Sequence, residues 1–131
     1  MRAFYKLRYY TLFNNQITIP AGSTAKVVTV TNIPPMGLVH KVVGQQTAGA
    51  SVAFNIDLLD FDPTAPTTPP PDLSRIINTV TATAGNTASF SSDHGVPFVL
   101  PDKKLYIRVW LDSAQGAAVS FDLAVVLATN D

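Results

Sequence analysis

The segment from Leu105 to Leu127 constrains the fold more than any other part of the chain. Leu105, Ile107, Val109 and Leu111 alternate with Tyr106, Arg108, Trp110 and Asp112; after Ser113 to Gly116, Val119, Phe121, Leu123, Val125 and Leu127 share one face, opposed by Ser120 and Asp122. Successive side chains of an extended strand point to opposite faces, so a period of two marks a strand that is apolar on one side only. Two such arms on either side of a Gly-containing bend predict an antiparallel hairpin laid on a core. The protein is therefore expected to be all-β.

The remaining strands are read in the same way. Alternation or Val/Thr richness predicts strands at 25–33, 38–43, 51–61, 76–83, 87–91 and 96–100 in addition to 105–112 and 118–128. Ile76-Ile77 could instead begin a short helical turn. Pro34-Pro35 and Gly37 punctuate the first half, and 44–49 reads as a polar loop. Half of the ten prolines lie between Asp62 and Asp72. Proline fixes φ and has no ladder donor, so 62–72 is expected to be an exposed, semi-rigid loop. Eight short strands without a convincing helix predict an antiparallel β-sandwich of jelly-roll type, with a seven-strand immunoglobulin-like sandwich as the nearest competitor.

Length and composition narrow the chemistry. A chain of 131 residues predicts one domain, with residues 17–131 as the sandwich and 1–16 as an N-terminal arm or edge strand. Such a domain hides roughly two-thirds of the surface its unfolded chain exposes. Without cysteine, disulfides and thiolate-bound metals are excluded. All nine acids are Asp, a poor helix former, which agrees with a β fold. Residues 1–56 carry five Lys/Arg and no acid, whereas 57–131 carry nine Asp against four Lys/Arg. That asymmetry favours head-to-tail contacts between copies, unless interleaved strands cancel it. Zero formal net charge argues against nucleic acid as a partner, since that affinity rests on Lys/Arg–phosphate contacts. The longest apolar run, Leu123 to Ala128, is too short to span a bilayer, and no signal-peptide-like stretch follows Met1, so cytoplasmic synthesis is expected.

The chemistry-bearing motifs are weak. Ser91-Ser92-Asp93-His94 contains triad residue types, but contiguous residues rarely converge on one reacting atom, and a surface loop is expected there. His40 lies mid-strand between Val39 and Lys41. Asp57, Asp60 and Asp62 could offer part of a calcium shell, although strand-end charges are the simpler reading. No phosphate loop, dinucleotide fingerprint or HExxH motif occurs. Without Glu or Cys, acid–base and nucleophilic chemistry is poorly supplied, so a non-enzymatic protein without cofactor or metal is expected.

Two groups of residues are instead suited to contact. The leader carries Arg2, Phe4, Tyr5, Lys6, Arg8, Tyr9 and Tyr10, aromatic and basic types that dominate interface energetics. It is expected either to pair as a first strand at a sheet edge or to lie across a neighbouring subunit. Tyr106 and Trp110 share the polar face of their strand with Arg108 and would suit a subunit contact or sugar stacking.

The polar-aromatic leader, the turn Ile19-Pro20-Ala21-Gly22-Ser23, the Val/Thr-rich first strand, Lys104-Leu105-Tyr106-Ile107-Arg108-Val109 and the valine-rich C-terminal strand together resemble the small decoration (cement) and minor capsid proteins of tailed bacteriophages. The resemblance implies a jelly-roll or sandwich body that assembles, often as a trimer, on the outside of a virion shell and clamps the major capsid protein. It transfers no functional residue by position. The alternatives are a carbohydrate-binding sandwich of a host-recognition fibre, with Trp110 and Tyr106 as its platform, and a neck or tail connector subunit.

Overall fold

The computed structural model describes residues 7–63, 76–100 and 102–130. Eight strands are present among them: β1 (Leu7–Ile19), β2 (Ala25–Thr31), β3 (Met36–Ala48), β4 (Phe54–Leu59), β5 (Ile76–Ala82), β6 (Ala88–Val99), β7 (Lys104–Trp110) and β8 (Val119–Asn130). They form two antiparallel four-stranded sheets, β1-β8-β3-β6 (sheet A) and β2-β7-β4-β5 (sheet B). The pairings β1–β8, β2–β7, β3–β6 and β4–β5 are those of one long hairpin of strand pairs, rolled up and joined by β8–β3 and β7–β4. This is the jelly-roll wrapping, and the all-β sandwich expected from the alternation is the fold observed. No helix occurs among the described residues, so none there is long and apolar enough to cross a membrane.

The core lies between the sheets. Leu105, Ile107 and Val109 of β7 and Phe54, Ile56 and Leu58 of β4 face Ile17 and Ile19 of β1, Val39 and Val42 of β3, and Val119 to Leu127 of β8, all buried. The Phe54 and Phe121 rings meet across the gap with centroids 4.5 Å apart. Gly44 of β3 belongs to this inner layer because nothing larger fits. A Cβ there would stand 2.5 Å from Ile56 Cδ1, with Leu123 and Phe54 close behind. Gly44→Ala is expected to lower unfolding free energy by about 1–3 kcal/mol through overpacking, measurable as a reduced urea midpoint at unchanged slope.

Several local expectations are corrected. The two arms around Ser113–Gly116 do not form a hairpin: β7 pairs with β2 and β4, whereas β8 pairs with β1 and β3. A strand with one apolar face satisfies the same alternation whether its successor lies beside it or across the core. The 111–118 connection takes the second course, bridging the roughly 10 Å between layers. It is held by Leu111 N–H donating to Thr24 O (2.8 Å) and Gly22 N–H to Gln115 O (2.9 Å).

The segments 87–91 and 96–100 are one strand, β6, interrupted by a bulge. Its register on β3 jumps from Lys41↔Ser91 to Val39↔Val96. Gly95 sits there at φ 71°, and its N–H donates to Ser92 Oγ at 3.1 Å. Ser91 to His94 thus lie in β6 and not in a surface loop. The expected polar loop 44–49 largely continues β3, and Ile76-Ile77 opens β5 as strand. The eighth strand is supplied by Leu7–Ile19, which pairs along β8 at the edge of sheet A, with a bulge between Thr11 and Phe13. The proline-rich segment 62–72 lies outside the described residues beyond Pro63.

Candidate interaction faces

With the inner faces consumed by the core, any site must lie on the outer faces or the loop ends. The described members of the expected contact set do not converge: they are spread over both outer faces and the core. Arg2, Phe4, Tyr5 and Lys6 lie outside the described residues. Arg8 is exposed near the start of β1, and Tyr9 is 53% exposed on the outer face of sheet A. Tyr10, one residue on, turns inward against the core. Its hydroxyl is buried without a hydrogen-bond partner, and burial pushes the phenol above its ordinary pKa. Tyr106 and Trp110 are half-buried on the outer face of sheet B, with Arg108 between them on the strand.

Residues directly opposite each other on paired strands share a face. On sheet A, Tyr9 stands opposite Ala128, Ala128 opposite Leu38, Leu38 opposite Pro97 and, one row on, Met36 opposite Val99. Met36 is 65% exposed and Val99 57%. The Tyr9 ring rests against His40 at 4.6 Å between centroids, and His40 Nδ1 lies 2.9 Å from Ser92 O at the bulge. One end of sheet A therefore gathers apolar side chains from three strands, Tyr9 of β1, Met36 and half-buried Leu38 of β3, and Pro97 and Val99 of β6, around the buried Ala128 of β8. Met36, Leu38, Pro97 and Val99 gave no sequence signal, because each is a lone apolar residue until register aligns them. Lys41 and Asp122 are exposed farther along this face, in the rows of Val126 and Gln45.

The outer face of sheet B is built around Asp57 of β4, whose side chain is 2% exposed. Register sets Arg108 and Thr79 directly beside it, with Trp110 on the diagonal. Oδ2 accepts from Arg108 Nη2 (2.6 Å), Arg108 Nε (3.1 Å) and Trp110 Nε1 (2.8 Å), while Oδ1 accepts from Thr79 Oγ1 (2.9 Å). The Arg108 guanidinium carbon lies 5.9 Å from the centre of the Trp110 ring. Both carboxylate oxygens are thereby engaged in a charge-assisted network, and no group of three potential metal ligands occurs among the described residues. Sequence alone presented Asp57 as one of three strand-end carboxylates; its partners lie on β5 and β7, brought together only by pairing.

No family model and no curated protein sequence matches the chain. Among solved structures it is similar to the CBM36-1 domain of a multidomain xylanase from the hindgut metagenome of Trinervitermes trinervoides, with TM-score 0.45 and 7% identity over 96% of this chain and 98% of that one. It is also similar to a chain of infectious bursal disease virus, Gx strain, with TM-score 0.42 and 18% identity over 94% of this chain and 31% of the viral one. Neither likeness carries an argument about ligand or partner, because a shared sandwich does not fix a site.

Proposed function

We propose that this protein is a non-enzymatic virion structural protein that binds the outside of a phage capsid and stabilises the shell, with the major capsid protein as its partner and a homotrimer as its working form. The observation that carries the reading is the apolar patch of Tyr9, Met36, Leu38, Pro97 and Val99 on the outer face of sheet A. Apolar side chains gathered in one exposed patch mark contact with another macromolecule. Each such contact is modest in area, so linked copies would gain attachment through effective concentration. A subunit bound to the closed shell and not to the opened one raises the free energy of opening by mass action. The jelly roll itself is an architecture used by both capsid and lectin domains, so the support for this reading comes from the patch and not from the fold.

The test is reconstitution. Purified protein added to shells lacking it should co-sediment with them and raise their disruption temperature. The variant Tyr9→Ser/Met36→Ser/Val99→Thr should keep its circular dichroism and lose about tenfold or more in shell affinity, as expected when the centre of an interface is made polar. Failure of the unmodified protein to co-sediment would end the proposal. The arm is tested separately by deleting residues 2–6, since a longer deletion would remove ladder partners of β8 from Leu7 onward. Solution mass distinguishes a trimer from the larger ring of a connector.

A further inference from the structure

A second surface, on the other sheet, has the makings of a small-molecule site. At the β2 end of sheet B a cavity of about 280 Å³ is lined by Thr24, Ala25, Arg108, Trp110 and Leu111. Among its lining residues Trp110 is half-buried, and its ring is fixed by its N–H bond to the buried Asp57. On the sheet edge the residue opposite Trp110 is Ala25, whose small side chain is exposed and leaves space on that side of the ring. Thr24 is exposed beside it, and its carbonyl accepts the Leu111 N–H at 2.8 Å, which ties two of the lining residues together.

The polar equipment of this cleft is specific. A guanidinium carries five N–H groups, and Asp57 engages the Nε and Nη2 nitrogens of Arg108, leaving the Nη1 pair uncommitted to it. The Asp57 carboxylate cancels the Arg108 charge locally, so the cleft offers donors and a hydroxyl without a net field to attract phosphate. An aromatic face carries negative quadrupolar charge and attracts weakly positive C–H groups laid flat upon it. We infer that this cleft binds a neutral sugar ring, its C–H face on the Trp110 indole and its hydroxyls on Arg108 Nη1 and Thr24 Oγ1. The volume falls just below the roughly 300–1,000 Å³ usual for ligand sites, which restricts the occupant to about one saccharide unit. Because the carboxylate network holds the ring before any ligand arrives, little ordering cost is left to binding. The site lies on the sheet opposite the patch proposed for capsid contact, so a decorating subunit could present it outward.

Trp110 is the single tryptophan of the chain, so its emission reports on the cleft without labelling. The full-length protein is titrated with maltohexaose, cellohexaose, xylohexaose and chitohexaose, and with oligo(dT) as the nucleic-acid control. The expected result is a saturable emission change with at least one oligosaccharide. Ala25→Leu, which fills the cleft from an exposed edge position, should weaken that response about tenfold or more. Thr24→Ala should weaken it about threefold to tenfold, the value of one hydrogen bond. A response to oligo(dT) alone, no saturable response to any sugar, or an undiminished response in both variants would overturn the inference. None of these outcomes touches the sedimentation assay, so the two readings stand or fall apart.

Discussion

Phe121→Ala is expected to lower unfolding free energy by about 3–5 kcal/mol, the upper range for a truncation in a closely packed core. Phe121 sits on β8, between β1 and β3, and its ring reaches the opposite sheet to meet Phe54 at 4.5 Å. Both rings are 1% exposed, so neither can turn to water to fill the space left behind. The cavity would open between the layers, where the surrounding strands are held by ladders on both sides and collapse poorly. Against a total stability of about 5–15 kcal/mol, the variant should have a sharply lowered urea midpoint. Phe121→Leu, which keeps most of the volume, should recover more than half of the loss. A Phe121→Ala cost under about 1.5 kcal/mol would mean that the two sheets are packed less closely than described.

Asp57→Ala should cost about 2–4 kcal/mol. The substitution removes the common acceptor of Arg108, Trp110 and Thr79. Removing one member of a buried pair leaves its partners without compensation; here Arg108 is 30% exposed and regains part of its hydration, which sets the effect below the upper range. Asp57→Asn keeps an acceptor for Trp110 and should cost less, about 1–2 kcal/mol, because charge-assisted bonds become neutral ones. Asp57→Ala/Arg108→Ala should cost less than the sum of the single changes, since the second removes a group already stranded. Trp110 emission should shift to longer wavelength in Asp57→Ala as its N–H turns to water. Additive costs with unchanged emission would show that the network does not act as a unit.

How far the sequence reveals this structure depends on which level of organisation is asked of it. β4, β7 and β8 were visible because strict alternation reports a buried face directly. What alternation does not report is the neighbour, and the supposed hairpin of β7 and β8 is the instance: the same side chains serve two strands side by side or two strands face to face. β1 was legible only as one of two alternatives for the leader, an edge strand or an arm, for another reason. The bulge at Thr11–Phe13 shifts the inward set from Tyr10 to Phe13, so a period of two fails midway along one continuous strand. At the Ser92–Gly95 bulge the same effect split β6 into two.

The candidate sites were legible only in fragments. Tyr9 and Trp110 stood out by residue type, yet the apolar patch and the Asp57 network are products of register. Met36 meets Val99 and Asp57 meets Arg108 across segments with no local signal joining them.

The placement of β8 also governs how the molecule is made. Sheet A has no continuous centre until β8 bridges β1 and β3, and the Thr18–Ser120 contact alone spans 102 positions. A nascent chain emerging from the ribosome therefore carries β1 and β3 with unpaired ladder edges until β8 is released. Such distant closure places self-assembly in the slow, millisecond-to-second regime of β proteins and concentrates the risk of mispairing in the interval before β8 arrives.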